Sequence, residues 1–88
     1  MLILISYDIP DDRRRTRLAH ALKDFGHRVQ YSVFEANLDD EQTARLRTRI
    51  AALIEPVENG VRIYRICAEC AGKLEIQGLG RPTQDPEI

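Results

Sequence analysis

Residues 7–17 bring together side chains that could hold a divalent cation and bind phosphate. Asp8 ends an apolar segment, directly after Tyr7. Four arginines follow within the next nine positions: Arg13, Arg14, Arg15 and Arg17. A carboxylate is a ligand that Mg²⁺ accepts, and guanidinium groups match phosphate oxygens. The segment predicts either a metal-assisted phosphate site or a strand-to-helix turn in which Asp8 only shapes the backbone.

The arginines fall where a helix is expected to begin. Positive charge is unfavourable at that end of a helix dipole, so Asp11 and Asp12, or a bound polyanion, should offset it. Arg15 and Arg17 lie off the apolar stripe of the helix and are expected to be free to reach phosphate, whereas Arg14 lies nearer to it. The alternative for the cluster is an ordinary solvated helix face.

The length and net charge of the chain limit the kinds of fold and binding partner to consider. The chain has 88 residues and a formal net charge of -1. A chain this short buries a thin core, so a partner subunit is expected to add stability. A charge near zero does not exclude nucleic acid, because the distribution of charge matters more than its sum. The apolar run at 1–5 is too short to span a membrane and has no signal-peptide pattern, so we expect a cytoplasmic protein.

The elements that position these side chains follow from hydrophobic spacing. A strand at 2–7, apolar on both faces, precedes a helix at about 13–25. That helix buries Leu18, Leu22 and Phe25, and we expect Gly26 to end it in a left-handed conformation. Residues 28–36 form one bent strand or two short ones joined near Tyr31 and Ser32.

A second helix is expected at about 40–54, where Asp39 and Gln42 resemble a capping box. A strand at 61–66 follows, and residues 74–77 are expected to form one more short strand. The order is β-α-β-β-α-β, which is typical of an α+β, ferredoxin-like fold with an antiparallel sheet. We predict a single domain over 1–78 and a flexible tail at 79–88.

The first strand also predicts an assembly. Two helices cover one side of a sheet, yet this strand is apolar on both sides. A homodimer that packs the open sides together accounts for this, and residues 74–77 could then extend a sheet edge of the partner. A monomer with a partly exposed sheet is the alternative. On the expected faces, Asp8 points toward the dimer side, where a two-fold axis could bring two carboxylates together.

Two further groups carry possible chemistry. Arg28, Gln30, Ser32 and Phe34 are expected on one sheet face, where they could combine a phosphate fork, hydroxyl donors and a stacking ring. Phe34 could equally belong to an interface core. Cys67 and Cys70 form a single C-x-x-C pair, and a zinc site would need further ligands. We interpret the cysteines as incidental rather than as a metal or redox site.

The order of these residues resembles the CRISPR-associated protein two family. The resemblance rests on Tyr7-Asp8-Ile9, the arginines at 13–17, and the run Arg28-Val29-Gln30-Tyr31-Ser32-Val33-Phe34-Glu35, and it covers residues 1 to about 66. It implies a homodimeric, Mg²⁺-dependent endonuclease that acts on single-stranded RNA or double-stranded DNA.

The resemblance also assigns roles to residues. It implies that Asp8 binds the metal, and that five further positions serve activity or fold: Tyr7, Arg15, Arg17, Arg28 and Phe34. It implies that the dimer bridges dimers of a CRISPR integrase partner during spacer acquisition. Two alternatives stay open: a non-catalytic DNA-binding adaptor, and a ribonuclease toxin of the virulence-associated type. Nucleic-acid contacts are expected from Arg13, Arg14, Arg15, Arg17, Arg28 and Ser32.

Overall fold

The computed structural model of the chain describes residues 1–80. These residues form a mixed α+β structure. The strands are β1 (Leu2–Asp8), β2 (His27–Gln30), β3 (Val33–Asn37) and β4 (Gly60–Ile66). The helices are α1 (Asp12–Leu22), α2 (Asp40–Leu53) and a short α3 (Ala68–Ala71). The first six elements follow the order that the sequence predicts, and α3 was not predicted.

The four strands form one antiparallel sheet in the order β2-β3-β1-β4. In central β1, Ile5 lies opposite Phe34 of β3 and Ile63 of β4. Successive side chains of β1 point to opposite faces. One face is covered by α1 and α2. We call the other the open face. In β1 it carries the side chains of Leu4, Ser6 and Asp8.

The core lies between the sheet and the two long helices. Its largest fully buried side chains come from β1, β3, α1 and α2: Ile3, Ile5, Leu18, Leu22, Phe34 and Leu46. The apolar stripe predicted for the first helix is therefore confirmed at its two leucines. α1 ends at Leu22, earlier than predicted, and Phe25 packs against the core from the following turn.

Both long helices begin at an aspartate that caps the backbone, and the capping box predicted at Asp39 and Gln42 is confirmed. The Asp11 carboxylate accepts a hydrogen bond from the Arg14 backbone N–H at 2.8 Å. Asp39 and Gln42 form a reciprocal capping box, with distances of 2.7 and 2.9 Å. A cap of this kind stabilises a helix by about 1 kcal/mol, so these residues fix where each helix starts.

Gly26 serves a different purpose from the one predicted. Among the described residues only Gly78 and Gly80 have positive φ, so Gly26 does not end α1 in a left-handed conformation. Instead, a Cβ atom on Gly26 would collide with the Glu35 carbonyl oxygen. The residue is glycine because β2 begins against the backbone of β3, where no side chain fits.

The prediction of a strand at 74–77 is wrong. No strand follows β4 within residues 67–80, where α3 and an irregular segment stand instead. That segment lies along the open face and lines a cleft together with Leu4, Val33 and Glu35. The pairing of this segment with a sheet edge of a partner subunit stays a prediction.

Two predictions concern the ends of the domain and its environment. The domain boundary at 78 stays a prediction, and the predicted tail at 79–88 lies outside the described residues from position 81 onward.

No helix within residues 1–80 combines the length and the apolar character that crossing a bilayer requires.

Candidate functional site

Asp8 ends β1 on the open face and is exposed. Its neighbour on β4 is Gly60, which has no side chain to obstruct the carboxylate. Within residues 1–80 the Asp8 side chain forms no hydrogen bond and no ion pair, so it does not act as the turn-stabilising residue considered above. An exposed, unpaired carboxylate at a strand end is available to a cation or a solvent proton.

Tyr7 lies on the opposite side of the sheet from Asp8. Its ring is 4% exposed and its centroid is 6.3 Å from that of Phe34. Its hydroxyl donates to the Tyr31 carbonyl at 3.3 Å, and its backbone N–H donates to the Ser32 carbonyl at 3.1 Å. Tyr7 therefore anchors the β2–β3 turn to the end of β1 and contributes no group beside the Asp8 carboxylate.

Arg15 is engaged within the chain, contrary to the expectation that it is free to reach phosphate. Its guanidinium donates to the Ile9 carbonyl at 3.0 Å and to the Pro10 carbonyl at 3.4 Å, and it also pairs with the Asp12 carboxylate. It lies 5.6 Å from the centroid of the Tyr31 ring. The hydrogen bond to Asp12 is the main reason why the pKa of Arg15 is raised. Arg15 thus holds the loop that follows Asp8.

The other arginines of α1 divide into two groups. The Arg14 guanidinium lies 3.8 Å from the Glu58 carboxylate and is partly buried. Arg13 and Arg17 are exposed, and within the described residues neither guanidinium has a hydrogen-bond or ion-pair partner. The chain's own acids therefore offset the charge of Arg14 and Arg15. Arg13 and Arg17 are the two that stay available to an external anion.

A register irregularity in β2 splits the predicted group around Phe34: Arg28 shares the face of Phe34 as predicted, and Gln30 does not. Arg28 pairs with Phe34 and Gln30 pairs with Val33, so the two β2 residues project from opposite faces. Phe34 is fully buried under the helices, which excludes both base stacking and an interface on the open face. The Arg28 guanidinium lies 5.5 Å from the Phe34 centroid, and Ser32 lies in the turn, away from that face.

Sequence reasoning missed a cationic cleft between α1 and the β2–β3 turn. The cleft has a volume of about 260 Å³, and its lining includes no carboxylate. Its charged and aromatic lining residues are Tyr7, Arg15, His20, Lys23, Arg28 and Tyr31. The spacing of Thr16 and His20 along α1, with Lys23 at its C-cap, was the available signal, since residues three or four apart share a helix face.

A second missed cation lies on the open face. Arg62 of β4 pairs with Ser6, two residues before Asp8 on the same face. Its guanidinium donates to the Tyr64 hydroxyl at 3.3 Å, which raises the pKa of Arg62. The alternation of β4 could have placed Arg62 on the side of Asp8, had the register of the two strands been known.

Asp8 fits a magnesium ion only in part. Across residues 1–80 no three His, Cys, Asp or Glu side chains gather as a metal cluster. Mg²⁺ needs one or two protein carboxylates and keeps several waters, so one chain supplies the minimum and a second copy would complete a pair. The donor set is therefore of the right chemical kind for Mg²⁺, and it is incomplete in a single chain.

Glu35 marks a second incomplete feature of the open face. It lies in β3 between Leu4 of β1 and His27 of β2, and it is only 9% exposed. Its Oε1 atom is buried and has no hydrogen-bond partner among the described residues. An unsatisfied buried polar atom costs about 1–3 kcal/mol, so the open face lacks a donor at this position.

Comparisons with known proteins agree on one family. Residues 1–74 match the family described as CRISPR associated protein Cas2. The chain is 44% identical, over 86 residues, to a protein of Chloroflexus aurantiacus named CRISPR-associated endoribonuclease Cas2 3; the match covers 98% of this chain and 92% of that protein.

Two solved structures share the fold. The crystal structure of a hypothetical protein from Thermus thermophilus has a TM-score of 0.82 and 42% identity, covering 91% of this chain and 93% of that one. A chain of a partial Cas6-RT-Cas1–Cas2 complex has a TM-score of 0.74 and 28% identity, covering 85% of this chain and 88% of that one.

Proposed function

The chain belongs to the Cas2 family of CRISPR-associated proteins, and on that premise we propose that it is a Mg²⁺-dependent endonuclease of CRISPR spacer acquisition. Its substrate is a phosphodiester of single-stranded RNA or double-stranded DNA. The observation that carries the proposal is the exposed Asp8 carboxylate, which has no partner within residues 1–80 and lies at the end of the central strand on the open face.

Two copies are needed for this chemistry. The strand order and the β-α-β-β-α-β connectivity support a ferredoxin-like protomer whose open faces pack together in a homodimer. The unsatisfied Oε1 of Glu35 and the half-exposed ring of Tyr64 support that assembly, since a partner could supply a donor to the first and cover the second. In this dimer the two Asp8 side chains share one face.

Each residue then has a distinct task. Asp8 would hold the cation, which would supply Lewis-acid activation of the phosphodiester. Arg13 and Arg17 bind flanking phosphates with free guanidinium groups. Arg15 positions Asp8 indirectly, through its hydrogen bonds to the carbonyls of Ile9 and Pro10. Tyr7 and Phe34 hold the scaffold and do not touch the substrate.

The experiment compares Asp8→Asn with Glu41→Gln. Glu41 is an exposed carboxylate on α2 with no ion-pair partner within residues 1–80, so it serves as the matched control. Asp8→Asn should lower Mg²⁺-dependent cleavage of labelled RNA and duplex DNA by more than roughly 100-fold, as expected for loss of a metal ligand. Glu41→Gln should cleave as the unmodified chain does.

Two outcomes would refute hydrolysis at this site. One is undiminished cleavage by Asp8→Asn, which would place the activity elsewhere. The other is cleavage by the unmodified chain that persists when all divalent cations are chelated. The dimer is measured in parallel by sedimentation, so that loss of cleavage is not confused with loss of assembly.

A second function is favoured by a separate observation. A solved structure of similar fold belongs to a Cas1–Cas2 complex, and two arginines on the α1 surface, Arg13 and Arg17, have no partner among the described residues. These support a DNA-bridging role in which this dimer joins dimers of the integrase partner without hydrolysis. If Asp8→Asn still assembles with that partner and supports spacer integration, the bridging role is independent of the carboxylate. The toxin alternative is set aside, because residues 1–74 match the Cas2 family.

A further inference from the structure

Cys67 and Cys70 form an exposed thiol pair that the proposed function does not use. Cys67 immediately precedes α3, and Cys70 is the third residue of that helix. Both thiols are free and both residues are exposed. A pair of cysteines at this spacing is a setting in which thiol–disulfide exchange occurs in proteins.

The two sulfur atoms are chemically unequal. The Cys67 sulfur does not complete a capping hydrogen bond with α3. The backbone N–H and then the thiol of Cys70 nevertheless favour its thiolate, and they lower the pKa of Cys67. The pKa of Cys70 is raised, chiefly because its thiol donates to Cys67. Cys67 is therefore the better nucleophile at neutral pH, and Cys70 is held beside it as a protonated thiol.

Metal binding fits this pair less well. A structural zinc site requires four ligands, and two thiolates supply half of them. No third His, Cys, Asp or Glu joins the pair to make a metal-binding group in the part of the chain that the structure describes. The arrangement favours redox chemistry between the two sulfurs over coordination.

Cys67 and Cys70 lie three residues apart in one turn of the chain, from the N-cap of α3 to its third residue. The Ala71 N–H donates to the Cys67 carbonyl at 2.9 Å, and the Lys73 ammonium lies 3.2 Å from the Glu69 carboxylate. Ala71 is buried while its neighbours are exposed, which anchors the short helix to the rest of the domain. Bond formation would then require only a local approach of the sulfurs and not a rearrangement of the fold.

We propose that Cys67 and Cys70 form a reversible intramolecular disulfide by exchange with a low-molecular-weight disulfide of the glutathione type. The Cys67 thiolate attacks one sulfur of the small disulfide, which forms a mixed disulfide and releases one small thiolate. Cys70 then loses its proton and attacks the Cys67 sulfur, which closes the protein disulfide and releases the second small thiolate. Two protein thiols are oxidised by two electrons, and their protons pass to the two released thiols.

The consequence is a closed ring at the connection between β4 and the segment that lies on the open face. Oxidation links the residue before α3 to its third residue and so prevents that turn from unwinding. Reduction leaves the turn held only by hydrogen bonds and the exposed Lys73–Glu69 pair. The redox state therefore sets the rigidity of the connector that leads to residues 74–80.

The test equilibrates the purified full chain in buffers of increasing ratio of oxidised to reduced glutathione. The reaction is quenched with acid, free thiols are alkylated, and intact mass is measured. We expect a single transition to a species that has lost two hydrogen atoms and carries no alkyl group and no glutathione. Cys67→Ser and Cys70→Ser are the controls, and each should accumulate only a mixed disulfide with glutathione.

The order of attack is tested separately by alkylation rates. With a small electrophile near neutral pH, Cys67 should react several-fold faster than Cys70 in the unmodified chain. Cys70→Ala should slow the reaction of Cys67 in part, because it removes the Cys70 thiol but keeps the Cys70 backbone N–H, which is the main reason why the pKa of Cys67 is lowered. Slower or equal reaction at Cys67 would overturn its assignment as the attacking thiol.

Three results of the equilibration would overturn the disulfide itself. They are thiols that stay reduced at every ratio, mixed disulfides on both cysteines without ring closure, and covalent linkage between chains in place of the internal bond. None of these readouts uses nuclease activity, so the inference stands or falls independently of the proposed function.

Discussion

The two faces of the sheet differ in how completely one chain satisfies them. Under α1 and α2, Phe34 is fully buried and the Tyr7 hydroxyl finds the Tyr31 carbonyl. On the open face, Glu35 keeps a buried oxygen without a donor and Asp8 has no partner within residues 1–80. On the covered face, the buried ring and the buried hydroxyl therefore find their contacts within one chain. The open face has unused binding capacity, so it is where an ion or another chain is expected.

The largest effect should come from cutting into the covered face. Phe34→Ala removes a fully buried ring and should lower the free energy of unfolding by about 3–5 kcal/mol. Tyr64→Ala, on the open face, removes a ring that is 43% exposed and should cost much less in an isolated protomer. Urea unfolding at one low protein concentration measures the free energy of unfolding of both variants. Equal decreases would show that the two faces contribute alike to the stability of the protomer.

Glu35→Gln tests whether the open face awaits a donor from a second copy. If a partner's cation or N–H group satisfies the Glu35 carboxylate, loss of that charged hydrogen bond should weaken the dimer by roughly 10- to 100-fold. The isolated protomer should lose little stability, because the replaced oxygen had no partner there. Sedimentation over a range of concentrations gives the dissociation constant.

Glu75→Gln is the matched control for that measurement. Glu75 lines the same cleft of the open face as Glu35 but is exposed. An unchanged dissociation constant for Glu35→Gln, or an equal change for Glu75→Gln, would mean that the buried oxygen does not contribute to the interface.

Variants of Arg15 and Arg17 compare a guanidinium that is hydrogen-bonded within the chain with one that has no partner among the described residues. Arg15→Ala loses the hydrogen bonds to the Ile9 and Pro10 carbonyls and the pairing with Asp12, and should lower the free energy of unfolding. Arg17→Ala should leave stability unchanged. It should instead reduce the dependence of log K on log salt for duplex DNA by about 0.9, the loss of one phosphate contact.

Thermal unfolding and a salt titration of DNA binding distinguish the two variants. A salt slope that falls for Arg15→Ala but not for Arg17→Ala would reverse the assignment. It would show that the guanidinium engaged in the loop is the one that reaches phosphate.

The smallest effect is expected at the hydroxyl of Tyr7. Tyr7→Phe keeps the buried ring and removes only the hydrogen bond to the Tyr31 carbonyl, which is long at 3.3 Å. The free energy of unfolding should fall by about 0.5–1 kcal/mol, with cleavage retained. Loss of cleavage without loss of stability would contradict this prediction, because it would give a catalytic role to a hydroxyl on the helix-covered face, opposite Asp8.

Local signals in the sequence predicted much of this architecture. The helix starts at Asp11 and Asp39 and the inward leucines of α1 depend on contacts within one or two turns, so spacing and capping chemistry identify them. The placement of Asp8 opposite the helix-covered side chains follows from the two-residue alternation of a strand. The prediction of an extra strand at 74–77 was wrong because alternation alone does not show whether another strand is available to pair with the segment.

The sequence by itself determined the order of the elements, the family and the identity of the exposed carboxylate, because these depend on patterns a few residues long. Only the tertiary structure decided that Arg15 is engaged, that Phe34 lies under the helices, and that Glu35 lacks a donor. Each of these depends on which distant backbone or side chain arrives beside the residue. The register shift in β2, for example, puts Gln30 opposite Val33 and so on the other face from Arg28 and Phe34.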